Sequence, residues 1–336
     1  MKKAALLPTL ALALPALVMA ALGASAEEVT PGLLYNMGGK FDKSFNEAAY
    51  NGAEAFKAES GIAYMEFEPT NEAQREQALR NMARRGANII VAVSFAQTSA
   101  VETVAAELPD VKFTLIDGVV DAPNVQSIVF KEHEGSYLVG MAAALASQSG
   151  KVGFIGGMDI PIIRKFACGY EQGAKSVNAD AEVLVNMTGN TPAAWNDPTK
   201  GGELAQSQFD RGADVVFAAA GGTGTGVYQA AKDAGKLAIG VDSNQNHLHP
   251  GTMLTSMVKR VDVAVAEAFK SVQDGTWQPG FKVLGLAEDG VAWALDEHNK
   301  ALITAEMQDK LEAARKAIVA GEITVADYMA NNSCDY

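Results

Sequence analysis

Two successive series of short apolar runs, each run followed by an amphipathic stretch, restrict this chain to parallel α/β architectures before any other feature is weighed. In the first series the runs fall at residues 32–35, 63–67, 88–94 and 112–117, with helical patterns opened by Ser44 and spanning 72–85 and 98–107. Ser44-Phe45-Asn46-Glu47 has the form of a capping box, which predicts a helix start at Ser44. Ile89-Ile90-Val91-Ala92-Val93 is apolar on both faces, as expected of a parallel strand covered by helices on each side. The second series repeats the pattern, with strands at 151–155, 182–187, 214–219 and 237–241 and helices at 162–177, 200–211 and 226–234. The repeat predicts two doubly wound, Rossmann-like lobes with later segments crossing between them. Residues 27–147 with about 250–283 would form one lobe, and 148–249 with about 284–336 the other.

The start of the chain predicts export. Lys2-Lys3, an apolar stretch from Ala4 to about Leu22 and the small residues Ala24-Ser25-Ala26 make a leader of 26 residues cleaved near Ala26. The 310 residues that follow carry 25 basic against 40 acidic side chains, a net charge of −15. Such a surface repels phosphate backbones and anionic lipid, which argues against a nucleic-acid partner. Past Ala26 no apolar run approaches the ~20 residues that span a bilayer, and no cysteine stands at the junction to carry a lipid. The expectation is a free periplasmic protein. There Cys168 and Cys334 would be permitted to pair, although two unrelated thiols fit the sequence as well.

Ligands of open parallel sheets sit beyond the carboxyl ends of the strands, where strand order reverses, so the strand-to-helix junctions hold the candidate residues. Gly221-Gly222-Thr223-Gly224-Thr225-Gly226 lacks the Lys-Ser/Thr ending of a phosphate loop and the G-x-G-x-x-G spacing. It suits either a backbone lying against an uncharged ligand or a plain tight turn. His247 and His249 have no third ligand with supporting spacing, so no metal is expected, and His133 and His298 read as isolated surface residues. Neither a G-x-S-x-G elbow nor a Cys-His signature supplies a nucleophile, and no cofactor is expected. Phe45, Trp195 and Phe95 stand at junctions where a ring can face a flat ligand or fill the core. Asp117 and Asp242 each end an apolar strand, where a carboxylate needs a partner or caps a helix. Lys259, after another strand-like run, suits neutralising Asp242.

Taken together, Asp42-Lys43-Ser44-Phe45-Asn46, Gly240-Val241-Asp242 and Ser256-Met257-Val258-Lys259 resemble, in order and interval, the basic membrane protein family of substrate-binding proteins, the purine nucleoside receptor group of ATP-driven importers. The resemblance runs from about Val29 to about Val325. It implies the type I periplasmic binding protein fold, two α/β lobes joined by a multi-strand hinge that close over a ligand. It further implies that Phe45 stacks on the base, Asn46 meets its rim and Trp195 supplies the opposing ring. Asp117 would hydrogen-bond the base edge, Gly222 would offer backbone contact, Asp242 and Lys259 would hold the ribose, and Asp42 would lie nearby. The implied partners are a membrane permease and its ATPase, with the receptor acting as a monomer and not as an enzyme. A receptor for a free purine base or another planar metabolite is the alternative within binding proteins. An exported nucleoside hydrolase is the alternative from another class.

Overall fold

The computed structural model describes Met1 and residues 28–335. The expected leader, apart from Met1, and its cleavage point near Ala26 lie outside the described residues. The chain runs β1 (Pro31–Leu34), α1 (Phe45–Ser60), β2 (Met65–Phe67), α2 (Gln74–Arg84), β3 (Ile89–Val93), α3 (Thr98–Glu107), β4 (Lys112–Ile116) and β5 (Val125–Phe130). It continues through α4 (Glu132–Ala146), β6 (Lys151–Met158), α5 (Pro161–Val177), β7 (Glu182–Gly189), α6 (Pro198–Asp210), β8 (Val215–Ala219), α7 (Gly224–Asp233), β9 (Leu237–Asp242) and β10 (Met253–Lys259). The elements α8 (Val261–Gln273), β11 (Gly280–Leu284), β12 (Val291–Trp293) and α9 (Ala305–Val319) complete it.

Among the described residues two six-stranded sheets form, in the orders β2-β1-β3-β4-β5-β11 and β7-β6-β8-β9-β10-β12. Neighbouring strands are parallel except β10 and β12. Strand order reverses between β1 and β3 in the first sheet and between β6 and β8 in the second, so each lobe has a switch point. The apolar runs behave as read: every residue of β3 and of β8 is buried. A core cluster containing Leu33, Phe56, Phe130, Phe154, Phe217 and Phe269 extends through both lobes, and each lobe has a separate cluster on its other face.

The lobe boundaries expected at 147 and 250 are displaced, while the one expected near 283 lies beside the observed crossing. The chain leaves the first sheet after Phe130, returns between Lys259 and Val261, and crosses again between Leu284 and Val291. Helix α4 is buried along its first three turns, and it packs on α5, α9, β10 and β12 of the second lobe. It packs on α5 so closely that a Cβ on Gly173 would lie 1.9 Å from the Tyr137 carbonyl oxygen. Strand β10 joins the second sheet, parallel to its sequence neighbour β9, because consecutive strands tend to pair. The three crossings are tied together by backbone hydrogen bonds, Lys131 to Leu284 and Arg260 to Gly290. The two cysteines pair: Cys168 on α5 and Cys334 have Cα atoms 5.6 Å apart in a disulfide that fastens the segment after α9 to that helix.

Candidate functional site

A crevice between the lobes takes its walls from the carboxyl ends of both sheets and encloses about 580 Å³, counting the part open to solvent. Asp42, Phe45, Asn46, Asp117, Trp195, Asp242 and Lys259 all line it. Gly222 does not; its neighbour Gly221 does, while Gly222 borders an outer groove with Lys40, Phe41 and Pro198. Seven of the eight residues, drawn from five junctions, therefore converge on one space.

The entrance to α1 is built differently from a capping box. Ser44 makes no side-chain cap. Asp42 fills that role, its Oδ1 accepting from the amides of Ser44 (2.8 Å) and Glu47 (3.1 Å) and its Oδ2 from that of Asn46 (3.0 Å). Three orphan amides are satisfied by one carboxylate, and the Glu47 carboxylate accepts from the Lys43 amide instead. The Ser44 hydroxyl is thereby free to cross the crevice and donate to Asp242 Oδ2 at 2.6 Å. The Asn46 amide group donates to the carbonyls of Asn36 and Gly39 and accepts from the Asn36 amide. Most of its hydrogen-bonding capacity shapes the β1–α1 loop.

Asp117 and Asp242 occupy left-handed backbone conformations, with φ of 65° and 63°. Such conformations cost free energy for residues other than glycine, least for Asp and Asn, and here they turn both carboxylates into the crevice. Neither is a helix cap: a loop follows each strand. Lys259 does not pair with Asp242 as expected. Its ammonium lies 2.6 Å from Asp117 Oδ2 and 2.8 Å from Glu132 Oε1, with the rings of Phe130, Phe45 and Phe166 at 5.0, 5.1 and 5.8 Å. Its β10 register carries it to the first helical residue of α4, where Glu132 competes for it at closer range.

Burial opposes the charge on Lys259, but Asp117, Glu132 and Asp242 overcome it and hold the ammonium above the ordinary lysine range. Burial pushes the Asp117 carboxyl up to about 6 against the pull of Lys259, and raises Asp242 against Lys259 and the Ser44 hydroxyl. Asp42 is pushed to about 7 by burial, against its three amide donors. Among the described residues, Asp117 Oδ1 is buried without a partner. Acidic oxygen in excess, with one acceptor left unpaired, prepares this space for a neutral ligand rich in donors.

Trp195, in the short helical turn Pro192–Trp195, lies so close to β6 that a Cβ on Gly157 would meet its ring at 2.1 Å. Phe45 faces the crevice from the first lobe and packs on the shared core.

The family described as Bmp, ABC transporter substrate-binding protein PnrA-like, matches residues 33–328. The chain belongs to this family. A CD4+ T-cell-stimulating antigen of Listeria monocytogenes is 33% identical over 90% of this chain and 89% of its own length. The ABC transporter nucleoside-binding protein BmpA of Lactococcus lactis is 32% identical over 84% of this chain and 85% of its own. A crystal structure of an ABC transporter solute-binding protein from Aeropyrum pernix superposes with a TM-score of 0.83 at 29% identity, covering 91% of this chain and 95% of that one. The type I periplasmic binding protein architecture is thus the family's, and this member works as the substrate-binding component of an ABC transport system.

In this Bmp-family crevice, several lining residues escaped the sequence. Ser94 follows β3, Ile162, Ile163 and Phe166 lie on α5, and Asn36 and Met37 follow β1; Phe95, beside Ser94, lines it too. Phe95 was a competing aromatic; Phe166 gave no signal because a core-facing ring on an amphipathic helix looks the same whether or not its edge meets a ligand. Glu132 was also missed, being one more acid in a helix, and His133, expected at the surface, is buried beside it.

Proposed function

We propose that this protein is a periplasmic receptor that binds a purine nucleoside between its lobes and delivers it to a membrane permease with its ATPase. The observation that carries the proposal is the convergence of Phe45 and Trp195, from opposite lobes, with Asp42, Asp117, Asp242 and Lys259 on a single crevice. Two rings suit a flat heterocycle, each base–aromatic stack contributing ~1–3 kcal/mol. In this reading Asp117 Oδ1 accepts from a donor on the base edge, and Asp242 and Lys259 hold ribose hydroxyls. The Lactococcus relative is named for nucleoside binding, which supports the same ligand class. In this reading the leader directs export and is removed near Ala26, and a single chain carries the whole site.

The excess of carboxylates disfavours nucleotides, whose phosphates would meet Asp42, Asp117 and Asp242 at close range. The reading makes the protein a binder that returns its ligand unchanged. Calorimetry with guanosine, inosine, adenosine, ribose and free hypoxanthine tests it. Binding of a nucleoside, with ribose silent, is expected; a free base binding as tightly as its nucleoside would move the assignment to the base, and no heat with any nucleoside would reject it. Chromatography after long incubation with inosine should show no released base.

A further inference from the structure

From the crevice-lining Asp117 and Lys259 a line of charges runs back through the buried Glu132 and Lys165 to the partly exposed Asp327. Lys259 shares Glu132 with a second cation: Glu132 Oε1 is 2.8 Å from Lys259 Nζ, and Glu132 Oε2 is 3.0 Å from Lys165 Nζ. Lys165, on α5, also donates to the Phe130 carbonyl at 2.7 Å and lies 3.6 Å from Asp327 Oδ2. Lys165 and Glu132 are 7% and 1% exposed at their side chains, so neither can be a solvated surface charge. The line runs Asp117, Lys259, Glu132, Lys165, Asp327, with alternating sign.

Its far end is held with care. Gln172 and Ala326 exchange two hydrogen bonds, at 2.8 and 3.0 Å, and the Cys168–Cys334 disulfide closes the same segment onto α5. Asp327 itself accepts from the Met329 amide at 2.9 Å, which fixes its carboxylate. Removing one member of a buried ion pair leaves its partner's charge uncompensated, so the remaining members must move or change protonation. Without Lys165, Glu132 has Lys259 as its one cation, and Lys259 is drawn from Asp117 toward it.

We propose that Lys165 and Asp327 are positioning residues for the binding site: the segment stapled to α5 holds Asp327 against Lys165, Lys165 holds Glu132, and Glu132 holds the Lys259 ammonium at Asp117. As far as affinity is concerned, this rests on the crevice being the nucleoside site.

The test uses the full oxidised chain with Lys165→Met, Asp327→Asn and Asp327→Glu, all checked for folding by circular dichroism. The ¹⁵N resonance of the Lys259 ammonium, assigned by comparison with Lys259→Met, reports its position without ligand. Both Lys165→Met and Asp327→Asn are expected to shift it, and Asp327→Glu to return it. Inosine affinity should fall about tenfold in Lys165→Met and about threefold in Asp327→Asn, with recovery in Asp327→Glu. An unmoved Lys259 resonance and unchanged affinity in Asp327→Asn and in any folded Lys165→Met overturn the proposal. If the wild type binds no nucleoside, the functional reading fails, and the ligand-free resonance still decides the positioning role.

Discussion

The Ser44 hydroxyl, from the first lobe, donates at 2.6 Å to Asp242 Oδ2 in the second. Two further bonds join the lobes beside it: Ser243 Oγ to the Ser44 carbonyl at 2.9 Å and Gln245 Nε2 to the Lys43 carbonyl at 2.8 Å. A hydrogen bond to a charged group contributes about 1.5–3 kcal/mol. Ser44→Ala is therefore expected to lower unfolding stability by that amount and to raise the Asp242 carboxyl further. Urea denaturation with unchanged midpoint would show that the bridge adds nothing to the fold.

Lys259 is the cation common to Asp117 and Glu132, and it is 2% exposed. In Lys259→Met, Asp117 loses its counter-charge in a buried space and Glu132 keeps only Lys165, a change that costs about 3–5 kcal/mol. Chemical denaturation should show that loss, and nucleoside binding should become undetectable by calorimetry. Retained affinity would mean that ribose hydroxyls are held elsewhere.

How much of this was open to a reader of the sequence depends on the kind of information each residue carries. β3 and β8 could be found because a strand buried on both faces must be apolar throughout. The lobe to which α4 belongs could not, because burial of a helix says nothing about which sheet covers it; the close contact through Gly173 decides that, and it is a tertiary fact. Asp117 and Asp242 were visible as carboxylates ending apolar strands. The Ser44 to Glu47 spacing located the helix start, Ser44 being the N-cap residue, and misled only on the capping side chain, since Asp42 two residues earlier reaches the same amides. Glu132 and Lys165 were indistinguishable from ordinary helix-surface charges until the fold brought them together.

Phe45→Ala and Trp195→Ala test the stacking assignment. If both rings face the base, each substitution should weaken nucleoside binding by ~1–3 kcal/mol, with ribose-only ligands unaffected. Trp195 is the cleaner probe, because it rests on Gly157 in a short turn while Phe45 also packs on the shared core. Loss of affinity in Phe45→Ala alone would leave a one-sided stack.

Reduction of the Cys168–Cys334 disulfide is expected to lower stability by about 2–5 kcal/mol. The bond closes a segment of 166 residues, so its removal frees a long loop in the unfolded chain. Thermal unfolding with and without reductant checks this, with Cys168→Ser/Cys334→Ser as the control that separates loss of the bond from other effects of reductant.

The crevice carboxyls also fix the sign of the pH dependence. Asp117 is raised to about 6 and Asp42 to about 7, burial being the largest cause for each. Their folded values lie above their unfolded ones, so between about pH 4 and 7 the folded protein holds more protons, and these groups make ligand-free stability fall as pH rises. Glu132 runs the other way, held down to about 2 by Lys259 and Lys165 against burial; its contribution is lost only as pH falls below the ordinary carboxylate range. His133, lowered by burial and by Lys165, also opposes the trend, so the comparison must be with Asp117→Asn. A ligand that donates to Asp117 Oδ1 favours the ionised carboxylate, so binding should release protons near pH 6 and affinity should rise from about pH 5 to 7. Calorimetry in two buffers of different ionisation enthalpy measures that release directly. Proton uptake in the wild type, or the same release in Asp117→Asn, would show that this carboxylate does not meet the ligand.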